Sequence, residues 1–259
     1  KSEPRGRCLI ISPWNYPVNL TFSPLVSALA AGNTAVIKPS ELTPNLSAAM
    51  TRLVREVFPP DEVAIFEGDA TVAQALLDLP FDHIFFTGSP AIGKVVMAAA
   101  AKHLASVTLE LGGKSPTIVD ESADVKLAAQ NVMWGKYTNA GQTCIAPDHV
   151  FVHATVKDAF VTECRAVLEK AYGKEADRAA SPFLAHVVNA RHTSRLKGLL
   201  DDAKAKGATT LTGGTVDEAA CFVAPTLLEN VPAEAKIMHE EIFGPLLTLI
   251  SFTELDEVI

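Results

Sequence analysis

The chain has 259 residues, of which 48% are hydrophobic and 20% charged, and it carries a formal net charge of −8. That size and apolar content allow one large domain or two ordinary ones and exclude a disordered chain. The acidic balance argues against a general binder of nucleic acid or of anionic membrane surfaces, although a helix N-terminus or a single lysine can still hold a small anion.

Cys8-Leu9-Ile10-Ile11-Ser12 is a short continuous apolar run, the pattern of a strand buried on both faces. Pro13-Trp14-Asn15-Tyr16-Pro17 breaks it, and a helix is expected over residues 20–31, stopped by Gly32-Asn33. Thr34-Ala35-Val36-Ile37-Lys38 reads as the next strand, residues 45–57 as a helix, and Val63-Ala64-Ile65-Phe66 as a third strand. A short helix over 72–79, a strand at His83-Ile84-Phe85-Phe86, a helix over 92–104 and a strand at Val107-Thr108-Leu109 follow. Strands alternating with helices at this spacing predict βαβ units and a mostly parallel sheet.

In such sheets ligands bind at the carboxyl ends of the strands. The polar clusters fall there: residues 12–15, 38–41, 67–69, 87–89 and 110–113. Beyond Gly112-Gly113 a second α/β unit begins, with strands at 117–119, 149–153 and 246–252, helices at 125–137, 156–172 and 190–206, and a short helix over 235–242. Strand and loop are expected over 209–214 and 222–228, and residues 173–181 read as a polar loop. The expected fold class is therefore α/β, with a Rossmann-like parallel-sheet unit over 1–112 and a second α/β unit over 113–259. Neither end reads as a natural terminus, so a piece of a longer protein is expected.

The four cysteines, Cys8, Cys144, Cys164 and Cys221, show no CxxC or Cys/His cluster, so neither zinc nor a disulfide framework is indicated. A reducing, cytoplasmic setting is expected. No signal peptide is visible, and the most apolar helical run, residues 95–104, is too short to span a bilayer. Six of the seven histidines (His83, His103, His153, His186, His192 and His239) lack metal-ligand spacing and read as core or surface residues. Trp134 and Tyr137 read as packing residues of one helix.

Cys144 is framed differently from a core cysteine. Asn139-Ala140-Gly141-Gln142-Thr143 precedes it and Ile145-Ala146-Pro147-Asp148 follows it, whereas a buried structural thiol has apolar periodic neighbours. Thirty-four residues earlier (144 − 110) lies Glu110, at the end of an apolar run and beside two glycines. A reactive thiol needs a lowered pKa or a nearby base, so the two are expected to work as nucleophile and base. Asn15 offers a side-chain donor for an oxyanion, although turn chemistry between two prolines explains it equally.

Gly88-Ser89-Pro90-Ala91-Ile92-Gly93 follows a strand and opens a helix, where backbone N–H groups and the helix dipole can hold a phosphate. It matches neither GxGxxG nor a P-loop, and an ordinary strand-to-helix turn also uses glycine. Lys38-Pro39-Ser40-Glu41 suits a ribose diol, while a solvated turn is the plainer reading for such a tetrapeptide alone.

Six segments in order, residues 13–17, 38–41, 86–89 with Gly93, 109–114, 141–144 and 240–245, resemble the aldehyde dehydrogenase superfamily over essentially the whole chain. The resemblance implies that Cys144 is the nucleophile, that Glu110 is the general base, and that Asn15 with the backbone N–H of Cys144 forms the oxyanion hole. It implies a NAD cofactor, with NADP accepted. Lys38 and Glu41 would lie at the adenosine ribose. Gly88, Ser89 and Gly93 would lie at the pyrophosphate, lined by Trp14 and with Ser12 beside it. Leu111 would lie beside the nicotinamide, and Glu241 and Phe243 at its ribose and ring.

Finer features are similar to the class 3 branch, and the helix around Arg191-His192 and Arg195-Leu196 is similar to bacterial coniferyl aldehyde dehydrogenases. The implied substrate is an aromatic or a medium-to-long aliphatic aldehyde, and the implied assembly of the longer protein is a homodimer without nucleic-acid or membrane partners. Two other readings stay open. A cofactor-independent cysteine hydrolase or acyltransferase would use Cys144 and Glu110 without Lys38, Glu41, Glu241 and Phe243. A structural descendant would have no use for the nucleophile.

Overall fold

In a computed structural model, which describes residues 3–259, the chain divides into two compact units, Lys1–Gly112 and Gly113–Ile259. The first unit runs β1 (Arg7–Ile11), α1 (Pro17–Ala30), β2 (Thr34–Lys38), α2 (Pro44–Val57), β3 (Val63–Ile65), α3 (Ala70–Leu77), β4 (His83–Gly88), α4 (Pro90–Ala101) and β5 (Ser106–Leu111). Its sheet has the order β3-β2-β1-β4-β5 with every pairing parallel.

The physics of this unit is that of a doubly wound sheet. Alternate residues of one strand face opposite layers. Leu9, Ile11, Ile84 and Phe86 join Leu76, Val96 and Ala99 in one apolar cluster. Ile10, Ala35 and Ile37 join Leu25, Met50 and Val54 in the other. Both faces are covered, which is why the strands read as unbroken apolar runs rather than as alternating ones. The chain steps from β1 to β2 and β3 in one direction and then returns to place β4 and β5 on the other side. The switch point therefore lies between the carboxyl ends of β1 and β4.

The second unit contains β6 (Pro116–Val119), α5 (Val125–Tyr137), β7 (His149–His153), α6 (Lys157–Tyr172), α7 (Ala190–Ala205), β8 (Thr209–Thr212), β9 (Val216–Asp217), β10 (Phe222–Val223), β11 (Thr226–Glu229) and β12 (Leu246–Phe252). Its five-stranded sheet has the order β6-β7-β12-β11-β8, parallel except for the antiparallel β11–β8 pair. Val132, Met133 and Tyr137 of α5 pack with Phe160, Cys164 and Leu168 of α6 and with Val150, Val152, Leu247 and Leu249 of the sheet. A separate cluster gathers Leu196, Leu199 and Leu200 of α7 with Leu228, Ile237 and Ile242.

Several boundaries differ from the sequence expectation. Helix α1 starts at Pro17, three residues before the expected position, because a proline at the first helical position is pre-organised and loses no needed hydrogen bond. Strand β5 runs on through Glu110 and Leu111, since pairing with Thr87 and Gly88 of β4 outweighs the local composition. Residues 173–181, read as loop, contain a 3-10 stretch, Glu175–Ala180. Trp134 is 74% exposed and does not pack as expected. The buried positions of α5 are Ala129, Val132, Met133, Lys136 and Tyr137, a single stripe at helical spacing that leaves residue 134 outside it.

The largest difference is at residues 235–242, expected as a short helix. Only Lys236–Met238 form one 3-10 turn, and the backbone then leaves helical geometry. Its polar groups are taken by side chains from distant parts of the unit. Ile242 N–H donates to Asp148 Oδ2 at 2.8 Å. The Glu240 carbonyl accepts from Lys114 Nζ at 3.0 Å.

Candidate active site

The first unit supplies one group of predicted residues. Ser12 and the half-buried Trp14 and Asn15 follow β1. Ser89, capping α4 through its hydroxyl, follows β4, with 3.5 Å to Ile92 N–H. These two turns flank the switch point of the sheet. The buried hydroxyls of Ser12 and Thr87 have no hydrogen-bond partner. Buried polar groups are seldom left unmade, so both suit a ligand with polar atoms of its own. A Cβ at Gly93 would press on the end of the Leu111 side chain. The glycine lets α4 close against the end of β5.

Lys38, 4% exposed at the end of β2, donates to Glu41 Oε2 at 2.7 Å. Burial pushes the Glu41 carboxyl up, but the hydrogen bonds from Lys38 and from its own backbone outweigh that and leave it below the usual range. The carboxylate stays 45% exposed and ionised at neutral pH, as an acceptor for a diol must be. Glu110 lies in β5 in register with Thr87 and lines a cleft of about 500 Å³ with Ser23, Pro24, His83, Phe85 and Thr87.

The second unit supplies Cys144, Glu241 and Phe243. Helix α5 ends at Tyr137, and the chain then passes through three successive left-handed residues, Asn139 (φ 52°), Ala140 (φ 53°) and Gly141 (φ 72°). For a non-glycine residue this conformation costs of order 1 kcal/mol and is kept only where the surroundings enforce it. Here they do so through Gln142, 2% exposed. Its Nε2 donates to the carbonyls of Asn139 (3.0 Å) and His186 (3.1 Å), and its Oε1 accepts from Val188 N–H at 2.9 Å. Cys144 emerges from this pinned turn half-buried and with a free thiol.

The turn also lies against the segment that carries the other two residues. A Cβ at Gly141 would overlap the Gly244 carbonyl, so the backbones of the cysteine loop and of residues 241–244 touch. Phe243 is held at φ 45°. Burial raises the Glu241 carboxyl above its usual value, against the Gly113 N–H that hydrogen-bonds to it. The two sequence-distant segments, 141–144 and 241–243, are thus brought together within one unit.

Several residues of this region were not singled out from the sequence for any role. Gln142, Lys114, Asp148, Arg195 and Lys136 are all polar, and the first four make the contacts that shape the two loops. Lys136 is 1% exposed in α5. The signal for these residues was a charge or amide within or beside apolar elements, which periodicity alone treats as noise.

Burial depresses the Lys136 ammonium from 10.5 to about 8, in part offset by Asp148. The folded state therefore binds this proton less tightly than the unfolded chain, and stability rises with pH between about 8 and 10.5. The span corresponds to roughly 3 kcal/mol. Urea unfolding of wild type and Lys136→Met at pH 7 and pH 9.5 is expected to give a stability difference favouring the variant at pH 7 and shrinking at pH 9.5. A difference independent of pH would contradict the assignment.

An open α/β sheet with polar groups at its switch point is the architecture of nucleotide-binding enzymes, and the second unit presents the half-buried Cys144 after a strained turn. The chain belongs to the aldehyde dehydrogenase family, whose sequence profile matches residues 1–259. It is 48% identical to 4,4'-diaponeurosporen-aldehyde dehydrogenase of Staphylococcus aureus over 259 residues, which is 100% of this chain and 55% of that protein. It is 45% identical to aldehyde dehydrogenase family 3 member A2 of Mus musculus, over 99% of this chain and 52% of that one. With the Rattus norvegicus aldehyde dehydrogenase named dimeric and NADP-preferring it shares 41% identity, over 100% and 55%. The solved substrate-bound state of Staphylococcus aureus AldH superposes with a TM-score of 0.94 at 47% identity, covering 100% of this chain and 55% of that chain. The chain thus spans about half the length of the relatives it matches.

Proposed function

We propose that this chain carries the reaction centre of an NAD(P)-dependent aldehyde dehydrogenase that oxidises an aldehyde to the carboxylic acid. The observation that carries the reading is the contact between the Cys144 turn and the segment bearing Glu241 and Phe243. A cofactor-independent hydrolase has no need of that segment at its nucleophile.

The Cys144 thiolate adds to the aldehyde carbon, forming a C–S bond while the carbonyl pair moves to oxygen. The side-chain amide of Asn15 and the backbone N–H of Cys144 hold that oxyanion. Collapse restores the C=O bond with loss of hydride and leaves a thioester on Cys144. When bound, NAD(P)+ supplies the hydride acceptor. Glu110 then takes a proton from water, the hydroxide adds to the thioester carbon, and the C–S bond breaks to return the thiolate and release the acid. Lys38 and Glu41 would hold the adenosine ribose. Ser12, Trp14, Gly88, Ser89 and Gly93 would form the pyrophosphate turn. Leu111, Glu241 and Phe243 would bound the nicotinamide side. The boundary between cofactor and catalytic portions is assigned to residues 112 and 113.

Aldehyde is the substrate class that the names of the relatives share. An aromatic or a medium-to-long aliphatic aldehyde is the finer reading. The rat relative named dimeric supports a homodimer for the longest natural chain that carries these residues. Four free cysteines support a reducing, cytoplasmic setting. None of the described helices is long and apolar enough to cross a membrane.

The test follows NAD(P)H formation by that longest chain against a panel of aromatic and aliphatic aldehydes. Glu110→Gln is expected to lower steady-state turnover by about 10²- to 10⁴-fold while sparing a burst of roughly one equivalent of NAD(P)H, because hydride loss precedes the step that needs the base. Turnover equal to wild type would show that another group activates the water.

A further inference from the structure

Residues 240–243 do not stand by their own secondary structure. Past the single turn Lys236–Met238 no helix or strand holds them until β12 begins at Leu246. Three side chains take over that function. Lys114 Nζ donates to Asp148 Oδ1, to the Ile237 carbonyl at 3.0 Å and to the Glu240 carbonyl at 3.0 Å, so all three of its protons are committed. Asp148, whose side chain is 3% exposed, spends its other oxygen on Ile242 N–H. Arg195 of α7 donates to the carbonyls of Glu241 (3.3 Å) and Ile242 (2.5 Å) and pairs with Glu240 Oε1 at 3.2 Å.

We propose that Lys114, Asp148 and Arg195 are positioning residues, a charged clamp on the backbone of residues 240–242 that sets where the Glu241 carboxylate and the Phe243 ring stand for the cofactor. The inference rests on the reading of Glu241 and Phe243 given above. Its physical basis is that the bonds reaching residues 237 and 240–242 from Lys114, Asp148 and Arg195 run, apart from the Arg195–Glu240 ion pair, from a charged side chain to a main-chain group. Such bonds are stronger than neutral ones, and their loss leaves a buried charge or carbonyl without a partner. The clamp also explains the location of its members. Lys114 follows the Gly113 whose N–H hydrogen-bonds to the Glu241 carboxylate, and Asp148 lies four residues beyond Cys144. A displacement of residues 240–242 would thus be felt at the Glu241 carboxylate first.

The experiment measures NAD+ and NADP+ binding to the longest natural chain by isothermal titration calorimetry, without substrate, alongside thermal unfolding and the rate at which iodoacetamide alkylates Cys144. Asp148→Asn is expected to weaken cofactor binding roughly tenfold or more. Arg195→Met, whose side chain is 33% exposed and whose loss the fold tolerates more readily, is expected to weaken binding in the same direction by a smaller factor. Lys114→Arg, which keeps the charge, is expected to recover part of the affinity lost in Lys114→Gln. The alkylation rate is expected to stay within a few-fold of wild type, which a general collapse of the unit would not allow. Wild-type affinity in a folded Asp148→Asn or Arg195→Met protein overturns the clamp. Absence of NAD(P)+ binding in the wild type sinks instead the cofactor reading on which it rests.

Discussion

Replacing Cys144 by alanine is expected to lower aldehyde-dependent NAD(P)H formation by roughly 10⁴-fold or more, since in the proposed mechanism both covalent intermediates form on this sulfur. The fold gives little reason for any other loss. Cys144 is only half-buried and alanine fits its backbone, so the melting temperature is expected to move by no more than a few degrees. The other thiols make the experiment specific. Cys8 and Cys164 are buried, at 4% and 0% exposure, and burial pushes the Cys164 thiol up to about 12. Neither competes for an alkylating reagent at neutral pH. Cys221, which is half-buried, is the internal comparison, and Cys221→Ala is expected to keep its turnover. Inactivation by iodoacetamide is then expected to track modification of Cys144 alone. If the Cys144→Ala protein kept a tenth of wild-type turnover, the mechanism would be wrong.

The elements that were legible in the sequence are those whose signal is local. The strands of the first unit are short apolar runs ended by proline, glycine or charge, and β1, β2 and β4 fall where such runs predict them. The polar residues at their carboxyl ends were legible for the same reason, since a buried strand has to end where its composition changes. What failed was decided at a distance. Glu110 belongs inside β5 because Thr87 pairs with it, and no local pattern announces a partner on β4. Residues 239–242 carry a helical composition, and the helix is lost because Asp148 and Lys114 claim the backbone groups it would use. The exposure of Trp134 depends on which stripe of α5 faces α6 and the sheet, a choice fixed by the apolar positions on either side of it.

The cysteine turn combines both kinds of signal. Its glycine was visible, and the loop framing set Cys144 apart from the buried thiols. The two left-handed residues before the glycine were not visible, because Asn139 is only a mild signal for that conformation and Ala140 none. They are held by the Gln142 side chain and by the packing behind it, which is a property of residues 186–188 as much as of the turn.

Gly141→Ala is expected to damage both stability and turnover, and its cost comes from geometry that a methyl group alone can test. At φ 72° an alanine is strained by about 1 kcal/mol before any contact is considered. The added Cβ would in addition overlap the Gly244 carbonyl and approach the Lys136 carbonyl at 3.0 Å. Both obstacles are backbone and cannot rotate away, so relief requires the cysteine turn and residues 243–245 to separate. The combined loss is expected to reach roughly 3 kcal/mol or more, measured by chemical denaturation, with turnover falling further than the unfolded fraction explains. Gly198→Ala is the matched comparison. Gly198 lies inside α7, where a Cβ would meet nothing within 4 Å. There the same substitution removes a helix-weakening glycine and is expected to stabilise the protein by about 0.5–1 kcal/mol with turnover unchanged. Opposite signs for one chemical change separate the two roles of glycine in this chain. A Gly141→Ala protein as stable and as active as wild type would mean that the contact between the cysteine turn and the 241–244 segment, on which the functional reading stands, is not maintained in solution.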